Sequence, residues 1–323
     1  MTFTRRRLLC SLPCLALTPW LPACKRGPIR PLTIASHVWP GYELMFLASR
    51  EGWLASSELN LLETASATAS LAALAGDQAD AAALTLDEVL RARSAGVTLD
   101  IVLVFDISAG ADMLLARPEI RSLSDLAGKR IGVEQSALGA LMLHKILAAA
   151  GLPQSAVTPV SVNADGHLDT WRRERLDALI TYEPTASRLL AEGARRLYDS
   201  REMPNTIFDV LAVKPEAIAR HPEALAALVA KHFRALRHLR HNPQDAAFRM
   251  AARMGIPAGD ILAAYRGLEL PDIHANRQLL ADGAPPLLKA ARELSQVMVE
   301  AGILAGAPDL ASLAHDDFLP EPR

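Results

Sequence analysis

Residues 32–53 read LTIASHVWPGYELMFLASREGW, and this stretch decides the fold. Its apolar start predicts a first strand, and the residues after the turn have the apolar spacing of a helix. Between them, Pro40 keeps Trp39 out of helical geometry, and Gly41 gives the freedom that a sharp turn needs. Such a turn lies at the carboxyl end of a sheet, where open α/β folds bind ligands. Trp39 and Tyr42 are therefore candidate ligand contacts, although aromatic residues in turns also pack on domain surfaces.

The first 24 residues have the pattern of an export signal. Arg5–Arg7 form a basic head, and the apolar run Leu8–Trp20 follows them. This run is too short for a membrane-spanning helix, and a small residue precedes Cys24. The segment resembles a bacterial lipoprotein signal, which predicts that Cys24 is lipidated and becomes the new N-terminus. The arginines also resemble a twin-arginine export motif, so both export routes stay open.

Length, cysteine content and charge narrow the remaining possibilities. A chain of 323 residues, half of them hydrophobic, suits two domains of ordinary size. All three cysteines lie at positions 10, 14 and 24, so the chain after the signal has no disulfide or cysteine nucleophile. Removal of the signal leaves 31 basic and 36 acidic residues, a formal net charge of −5. This acidic body is ill suited to phosphate backbones, and we expect no nucleic-acid partner.

Two successive sets of apolar strands and helices follow the first turn. The spacing predicts strands of a parallel sheet at 60–63, 79–84 and 99–105, and a second set at 131–133, 157–162 and 178–181. A strand at 207–213 returns the chain to the first set, and the residues from Pro215 onward read as helical. Two α/β sets joined by two crossings predict a hinged binding protein with a cleft between two lobes.

Several motifs together resemble one family, in their order and spacing. They are Trp39–Glu43 (WPGYE), Gly110–Asp112 (GAD), Asp125–Val133 (DLAGKRIGV), Tyr182–Pro184 (YEP), Phe208–Leu211 (FDVL) and, near the C-terminus, Gly267–Asp272 and Met298–Phe318. These residues resemble the solute-binding proteins of nitrate, sulfonate, taurine and thiamine-precursor ABC importers, the NMT1/THI5-like and SsuA/TauA-like group. The resemblance covers nearly all of the chain after the signal.

The resemblance implies a type II periplasmic-binding-protein fold, with two α/β lobes, a ligand cleft and two crossover strands. After the signal at 1–24, it places lobe I at 30–115 plus 205–320 and lobe II at 116–204. It also implies a periplasmic or extracytoplasmic protein that hands a small organic solute to an ABC permease in the inner membrane. A lipid anchor at Cys24 would keep the protein near that permease. We expect a monomer without catalytic residues, cofactor or metal.

The strand ends predict which side chains line the cleft. The candidate ligand-binding residues are His37, Trp39, Tyr42, Ser66, Thr68, Thr85, Asp87, Asp106, Ser108, Gln135, Ser136, Asn163, Tyr182 and Glu183, and the same loops also contain Glu88 and Glu134. Aromatic rings offer flat faces for a planar solute, while hydroxyls and helix N-termini supply directed hydrogen bonds. Single hydroxyls at these helix starts also serve as ordinary caps.

The charges of these loops favour one class of solute. Apart from His37 they contain no basic side chain, and carboxylates are frequent. A doubly charged anion would recruit arginine, so the loops favour a neutral, zwitterionic or nitrogen-rich solute such as a pyrimidine. Glu183 is the first choice as acceptor, with helix-start electrostatics before Pro184 as its alternative role. A sulfonate held by helix N-termini stays open as well.

Other patterns indicate structural roles. His232, His238 and His241 share a predicted helix whose exposed face carries Lys and Arg, and no carboxylate joins them at metal-ligand spacing. The sequence has no GxSxG, HExxH, P-loop or GxGxxG motif. One alternative is an enzyme on the same fold, like the relatives that make the thiamine pyrimidine, whose cysteine-containing active-site segment has no counterpart here. Another is a sensory input module that acts through a separate membrane partner.

Overall fold

The computed structural model describes residues 30–173, 176–281 and 285–321, and from Pro31 onward the chain forms one unit. The predicted export signal and Cys24 lie outside these residues. The strands are β1 Leu32–Ser36, β2 Leu59–Glu63, β3 Ala81–Thr85, β4 Asp100–Ser108, β5 Asp112–Ala116, β6 Arg130–Val133, β7 Thr158–Ser161, β8 Ala178–Tyr182, β9 Arg195–Asp199, β10 Phe208–Val213 and β11 Leu268–Glu269.

The helices lie between these strands and dominate the C-terminal part. They are α1 Glu43–Arg50, α2 Ala67–Ala75, α3 Leu86–Ser94, α4 Ala137–Ala150, α5 His167–Arg173, α6 Thr185–Ala191, α7 Pro215–Arg220, α8 Pro222–His241, α9 Pro243–Met254, α10 Ala258–Ala264, α11 Ile273–Leu280 and α12 Pro286–Glu300. Among the described residues, no helix combines the length and the apolar character needed to cross a bilayer.

The strands form two mixed sheets. The first has the order β11-β4-β10-β3-β1-β2, and the second has the order β7-β6-β8-β5-β9. In the first sheet β1 runs parallel to β2 and β3, whereas the returning strand β10 is antiparallel to β3 and β4. In the second sheet β6 runs parallel to β7 and β8, and β5 is antiparallel to β8 and β9. The prediction of a parallel first sheet is therefore incomplete, because its returning strand enters from the opposite direction.

Helices cover both faces of the first sheet, and the strand residues alternate between two apolar clusters. Ile34, Ala81, Ala83 and Leu211 belong to the cluster that contains residues of α1, α8, α9 and α10. Their neighbours along each strand belong to the cluster with α2, α3 and α12. A strand covered on both sides needs no polar face, which explains the uninterrupted apolar residues of β3.

The predicted strands correspond to observed strands, but the prediction omitted β9, β11 and also β5, whose apolar residues 112–116 were not assigned to a strand. Strand β9 reads RRLYD, and its first two residues are exposed at the edge of the second sheet. Strand β11 has only two residues and forms an edge of the first sheet. Edge strands are short and charged, and they lack the apolar alternation on which the prediction relied. The prediction that the chain is wholly helical after Pro215 is wrong at β11.

The structure corrects the placement of His232. Its side chain is fully buried, and its ring centroid lies 5.3 Å from those of both Phe105 and Phe233. Burial lowers the pKa of His232 to about 3, so the ring is neutral and packs as an aromatic residue. His238, in contrast, contacts Asp245 at 2.7 Å near the surface. The prediction grouped His232 with the exposed charges of its helix, although it lies on the apolar face.

The two sheets are connected by two chain crossings that lie side by side. The first crossing leaves β4 at Ser108 and enters β5, and the second leaves β9 and passes Ser200 before β10. The hydroxyls of Ser108 and Ser200 are 2.8 Å apart, and the Ser200 hydroxyl accepts the amide N–H of Gly110 at 2.6 Å. These contacts fix the two crossings to each other at the place where the predicted lobes would hinge. The residue boundaries of the lobes stay a prediction.

Candidate functional site

A cavity lies between the adjacent ends of the two sheets. Its lining comes from both sheets and consists of His37, Trp39, Ala67, Thr85, Glu88, Asp112, Glu134, Ser136, Leu138, Tyr182 and Asp209. The ring centroids of Trp39 and Tyr182 are 5.7 Å apart in an edge-on contact between the two sheets. The volume is about 20 Å³, slightly more than the ~10–15 Å³ that a single water requires. The two halves therefore meet closely around this cavity.

The aromatic turn after β1 is held by carboxylates of the neighbouring strands. The indole N–H of Trp39 donates to Asp106 Oδ2 at 3.1 Å, and the hydroxyl of Tyr42 donates to Asp209 Oδ1. Gly41 fits between these groups because it has no side chain: a Cβ there would lie 1.6 Å from Asp106 Oδ2. The Pro-Gly sequence thus lets the turn lie directly on the Asp106 carboxylate.

Helix α9 fixes the same turn from the other side. Arg253 donates to the carbonyl oxygens of Ser36 and His37 at 3.3 Å each and forms a buried ion pair with Glu43. Its guanidinium carbon also lies 3.4 Å from the ring centroid of Phe46. Sequence reasoning missed Arg253, although a signal existed. It follows Ala246 by seven residues, and buried Ala246 marks the apolar face of this helix.

Four carboxyl groups line the cavity, and all of them hold protons more strongly than usual. Burial raises the pKa of Asp112 to about 6 and that of Glu134 to about 7. Burial, with the nearby charge of Asp87, raises the pKa of Glu88 to about 8. Burial and the charge of Asp106 raise the pKa of Asp209 well above its usual range. At neutral pH Glu88, Glu134 and Asp209 are therefore protonated to a substantial degree, whereas Asp112 is mostly ionised.

Asp209 and Asp106 form a pair across two strands. They face each other in the register of β10 and β4, so their carboxyl groups share one buried environment. Burial raises the pKa of Asp106 to about 8, and the indole hydrogen bond from Trp39 opposes that rise. Two like charges at such short range do not both ionise, and the pair keeps at least one proton at neutral pH.

The histidines of the site carry no charge at neutral pH. Burial, assisted by the charge of Arg253, lowers the pKa of His37 to about 4. Burial also lowers the pKa of His167 to about 4, and its Nδ1 lies 3.1 Å from the Thr181 hydroxyl. The lining contains no Lys or Arg among the described residues. The cavity therefore has carboxyl groups but no positive side chain at neutral pH.

We expect the solute-free protein to lose stability as the pH rises from 6.5 to 8. The folded chain keeps protons on Glu88, Asp112 and Glu134 that the unfolded chain releases near pH 4. The unfolded chain binds fewer protons than the folded chain in this range. The free energy of unfolding therefore falls by about 1.4 kcal/mol per pH unit for each additional proton that the folded chain holds. The buried histidines oppose this trend near pH 6.5, where the unfolded chain still binds protons on them, but above about pH 7.5 they are uncharged in both states.

Urea titrations at pH 6.5, 7.2 and 8.0 measure this effect. A loss of about 2 kcal/mol over this range is expected, since more than one group contributes. Glu88→Gln keeps an acceptor for the Thr85 amide N–H and should give a shallower slope. Stability that is constant or increasing over this range in the unaltered protein would contradict the protonated carboxyl cluster.

The structure brings five of the predicted site residues to the cavity: His37, Trp39, Thr85, Ser136 and Tyr182. Tyr42 and Asp106 lie directly behind it and hold lining residues. The remaining predicted residues lie elsewhere. Thr68, Gln135 and Asn163 are exposed, Gln135 beside a neighbouring groove, and Asp87 is buried in α3. The other three have structural contacts: Ser66 caps α2, Ser108 joins the crossings, and Glu183 accepts from Ser187 at the start of α6.

Asp112 and Asp209 line the cavity but were not predicted as site residues. Both are carboxylates inside or directly before an apolar strand, at Asp112–Ala116 and Phe208–Val213. A single charge in such a run is a signal that the residue is buried for a reason. Among the described residues, no group of three His, Cys, Asp or Glu side chains has an arrangement that could hold a metal ion.

Comparison with solved structures shows the periplasmic-binding-protein fold. The alkanesulfonate-binding protein SsuA from Xanthomonas axonopodis pv. citri, bound to MOPS, is 18% identical with a TM-score of 0.71, covering 88% of this chain and 96% of that chain. The periplasmic aliphatic sulphonate-binding protein SsuA from Escherichia coli is 18% identical with a TM-score of 0.70, covering 91% and 94%. The desulfurization enzyme DSZB is 18% identical with a TM-score of 0.63, covering 89% and 97%.

The family is shown by the sequence itself. No curated protein matches the chain. The model of the family described as NMT1/THI5 like matches residues 39–246, which is more than half of the chain and includes the aromatic turn, both crossings and the second sheet. The predicted resemblance and fold class are thereby confirmed, and the chain belongs to the NMT1/THI5-like family.

Proposed function

We propose that the protein is the solute-binding component of an ABC importer, which captures a small organic solute between two lobes and has no catalytic activity of its own. The observation that carries this proposal is the position of the cavity. Its lining comes from the ends of two separate sheets that only two crossings connect. A solute that contacts both sheets favours the closed arrangement, and a membrane permease distinguishes that arrangement from the open one.

A contact between exposed parts of the two halves supports the same motion. Arg188 of α6 donates to the carbonyl oxygen of Gly255 at the end of α9, and it bridges the second sheet's helices to those of the first. Together with the contact between Trp39 and Tyr182, it makes the closed arrangement distinct from an open one. The family and the fold agree with this role, because the similar SsuA structures are binding proteins by their descriptions.

The proposal includes the location of the protein and its partners. It would act outside the cytoplasm as a monomer, anchored through lipidated Cys24 and close to the permease. This part rests on the pattern of the first 24 residues, which lie outside the described residues. Mass spectrometry of the protein purified from membranes of its host tests it: an acylated N-terminus at Cys24 is expected, and an intact residue 1 would contradict it.

The binding function is tested by a thermal-shift screen of sulfonates, pyrimidines, amino acids, nitrate and organic amines. A matching solute raises the melting temperature because it binds only the folded chain, and small-angle scattering should show a smaller radius of gyration. Trp39→Ala and Tyr182→Ala should each abolish both effects, since they remove one side of the cavity. Phe248→Ala, whose side chain is 75% exposed, is the aromatic control that keeps them. Solute binding that survives both cavity substitutions would overturn the proposal.

An enzyme is the second candidate, because the desulfurization enzyme DSZB shares the fold. The buried carboxyl groups with raised pKa are a type of group that acts in proton transfer. The described residues contain no cysteine, so a cysteine nucleophile is not available among them. Mass spectrometry of each solute found in the screen, incubated with stoichiometric protein, decides between the two functions. Unaltered solute is expected, and catalytic conversion would favour the enzyme.

A further inference from the structure

We propose that the solute is an organic cation with N–H donors, and that its positive charge replaces protons on the carboxyl groups of the cavity. This inference rests on the proposed function, since it names the class of solute for the same cavity. The geometry that supports it is the enclosure of several carboxyl groups in a small space that no positive side chain enters.

The first observation is the balance of charged groups. Glu88, Asp112, Glu134 and Asp209 line the cavity, and no Lys or Arg is among its described lining residues. A site for an anion normally recruits arginine for bidentate hydrogen bonds. Here an anion would find no positive side chain, and each carboxyl group that is ionised would repel it. The same ionised groups would attract a cation.

The second observation is independent of the number of acidic residues. Asp112 Oδ2 is buried without a hydrogen-bond partner, and Asp112 as a whole is only 3% exposed. A buried acceptor without a donor is costly, and native structures rarely keep one without a use. An N–H group of an ammonium or amidinium ion would satisfy this oxygen directly.

The third observation concerns the rings of Trp39 and Tyr182, which meet over the cavity. Aromatic faces attract cations, most strongly for tryptophan and when water is excluded. An aromatic pair beside carboxyl groups therefore offers two compatible kinds of contact to a planar cation. A sulfonate would gain nothing electrostatically from the ring faces.

Three helix N-termini also approach the cavity, and by themselves they favour an anion. They belong to α2, α3 and α4. Each is already capped: Ser66 Oγ accepts from Ala69 N, Glu88 Oε2 accepts from Thr85 N, and Ser136 Oγ accepts from Gly139 N. Since a helix end is equivalent to about half a charge, any two of the carboxyl groups outweigh the three helix ends once they are ionised.

Binding of a cation changes the protonation of the cavity in a defined way. The O–H bond of a carboxyl group breaks, its proton passes to the buffer, and the carboxylate accepts an N–H hydrogen bond from the cation. Affinity for the cation therefore rises with pH up to about 8, the range over which the solute-free carboxyl groups release their protons. An anion would bind to the protonated cavity, and its affinity would fall with pH.

Other ionisable groups face this cluster from every side. They are Tyr42 on the first turn, Asp87 and Arg91 on α3, Asp106 on β4, Asp165 before α5, His167 on α5, Tyr182 on β8 and His37 beside Trp39. The histidines are neutral above pH 6.5, and the tyrosines do not ionise below pH 10 because burial raises their pKa. The carboxyl groups therefore dominate the pH dependence between pH 6.5 and 8.

The test compares planar compounds that differ in charge. The first set is benzamidinium, benzamide and benzenesulfonate, which share one ring. Further cations, each with its neutral and sulfonate analogue, follow. Thermal shifts and calorimetry at pH 6.5 and 8.0 should show at least about tenfold tighter binding for a cation than for its neutral analogue. Calorimetry in buffers of different ionisation enthalpy should detect about one released proton per bound cation. Affinity should rise by about tenfold per pH unit for one proton.

Three results would contradict the inference, and they distinguish its failure from that of the proposed function. If a sulfonate binds, closes the lobes and weakens with rising pH, the binding function holds and the cationic class is wrong. If no compound of any charge raises the melting temperature, both fail. Cation binding without proton release contradicts the replacement of protons.

The substitution Asp112→Asn is expected to change both cation binding and the pH dependence of stability. It should weaken cation binding by at least about tenfold, because one acceptor becomes an amide of equal size. The stability of the solute-free variant should fall less between pH 5 and 7, where Asp112 releases its proton, than that of the unaltered protein. Asp260→Asn, at an exposed position on α10, is the control that changes neither property. Unchanged cation affinity in Asp112→Asn would contradict the proposed contact.

Discussion

At pH 7, Arg253→Gln is expected to lower the free energy of unfolding by at least about 3 kcal/mol. The side chain of Arg253 is only 2% exposed, and its partner Glu43 is fully buried. Removal of the guanidinium leaves a carboxyl group without its counter-charge, and it also removes the donor to the carbonyl oxygens of Ser36 and His37. Since burial already raises the pKa of Glu43 to about 7, its charge becomes costlier to hold at higher pH. The loss should therefore grow from pH 7 to pH 8.5.

Urea denaturation of three variants tests this role. Arg249→Gln on the same helix removes ion pairs with Asp245 and Glu51 that are partly exposed, and it should cost less than about 1 kcal/mol. The double variant Glu43→Gln with Arg253→Gln should be destabilised by clearly less than the sum of the single variants. Equal losses for Arg253→Gln and Arg249→Gln would show that the buried pair has no special role.

Gly41→Ala is expected to destabilise the protein by about 3 kcal/mol and to weaken solute binding. The added Cβ would lie 1.6 Å from Asp106 Oδ2 and 3.2 Å from Trp39 Nε1. Overpacking of this kind costs ~1–3 kcal/mol, and loss of the hydrogen bond between Trp39 and Asp106 adds about 1 kcal/mol. Asp106 is fully buried, so its carboxylate has no free space into which it can move.

The readouts for Gly41→Ala are urea denaturation and the near-ultraviolet circular dichroism of the tryptophans, to which Trp39 contributes. Gly259→Ala is the matched control, since a Cβ there meets no atom within 4 Å and alanine favours the helix by up to about 1 kcal/mol. A Gly41→Ala protein as stable as the unaltered one, with the same tryptophan signal, would show that the turn does not depend on this close approach.

The parts of the fold that sequence reasoning predicted are those with local causes. The turn of Trp39, Pro40 and Gly41 depends on the residues themselves, and the buried strands are apolar along their length. The edge strand at Arg195–Asp199 depends on its neighbour in the sheet rather than on its own apolar content, and for that reason it was missed. The order of these elements predicted two α/β lobes with a cleft, and the resemblance to the family implied the type II periplasmic-binding-protein fold.

The candidate site was only partly predictable because its groups meet through the tertiary structure. His37, Trp39 and Tyr182 lie directly at strand ends, where local rules apply. Asp209 reaches the cavity because its strand returns antiparallel beside β3, which no local pattern specifies. The contact between Arg253 and Glu43 joins residues 210 positions apart. Apolar spacing along that helix was a signal for its buried face, but no spacing rule could identify Glu43 as the partner of Arg253.

The close meeting of Trp39 and Tyr182 has a consequence for the speed of capture. A cavity of about 20 Å³ has no room for an organic molecule, so entry requires a form in which these two rings have separated. Only protein molecules in that separated form can receive solute. The apparent affinity is therefore proportional to the fraction of protein molecules in that form. Substitutions that loosen the ring contact would therefore accelerate uptake and release together, even where they leave the carboxyl groups unchanged.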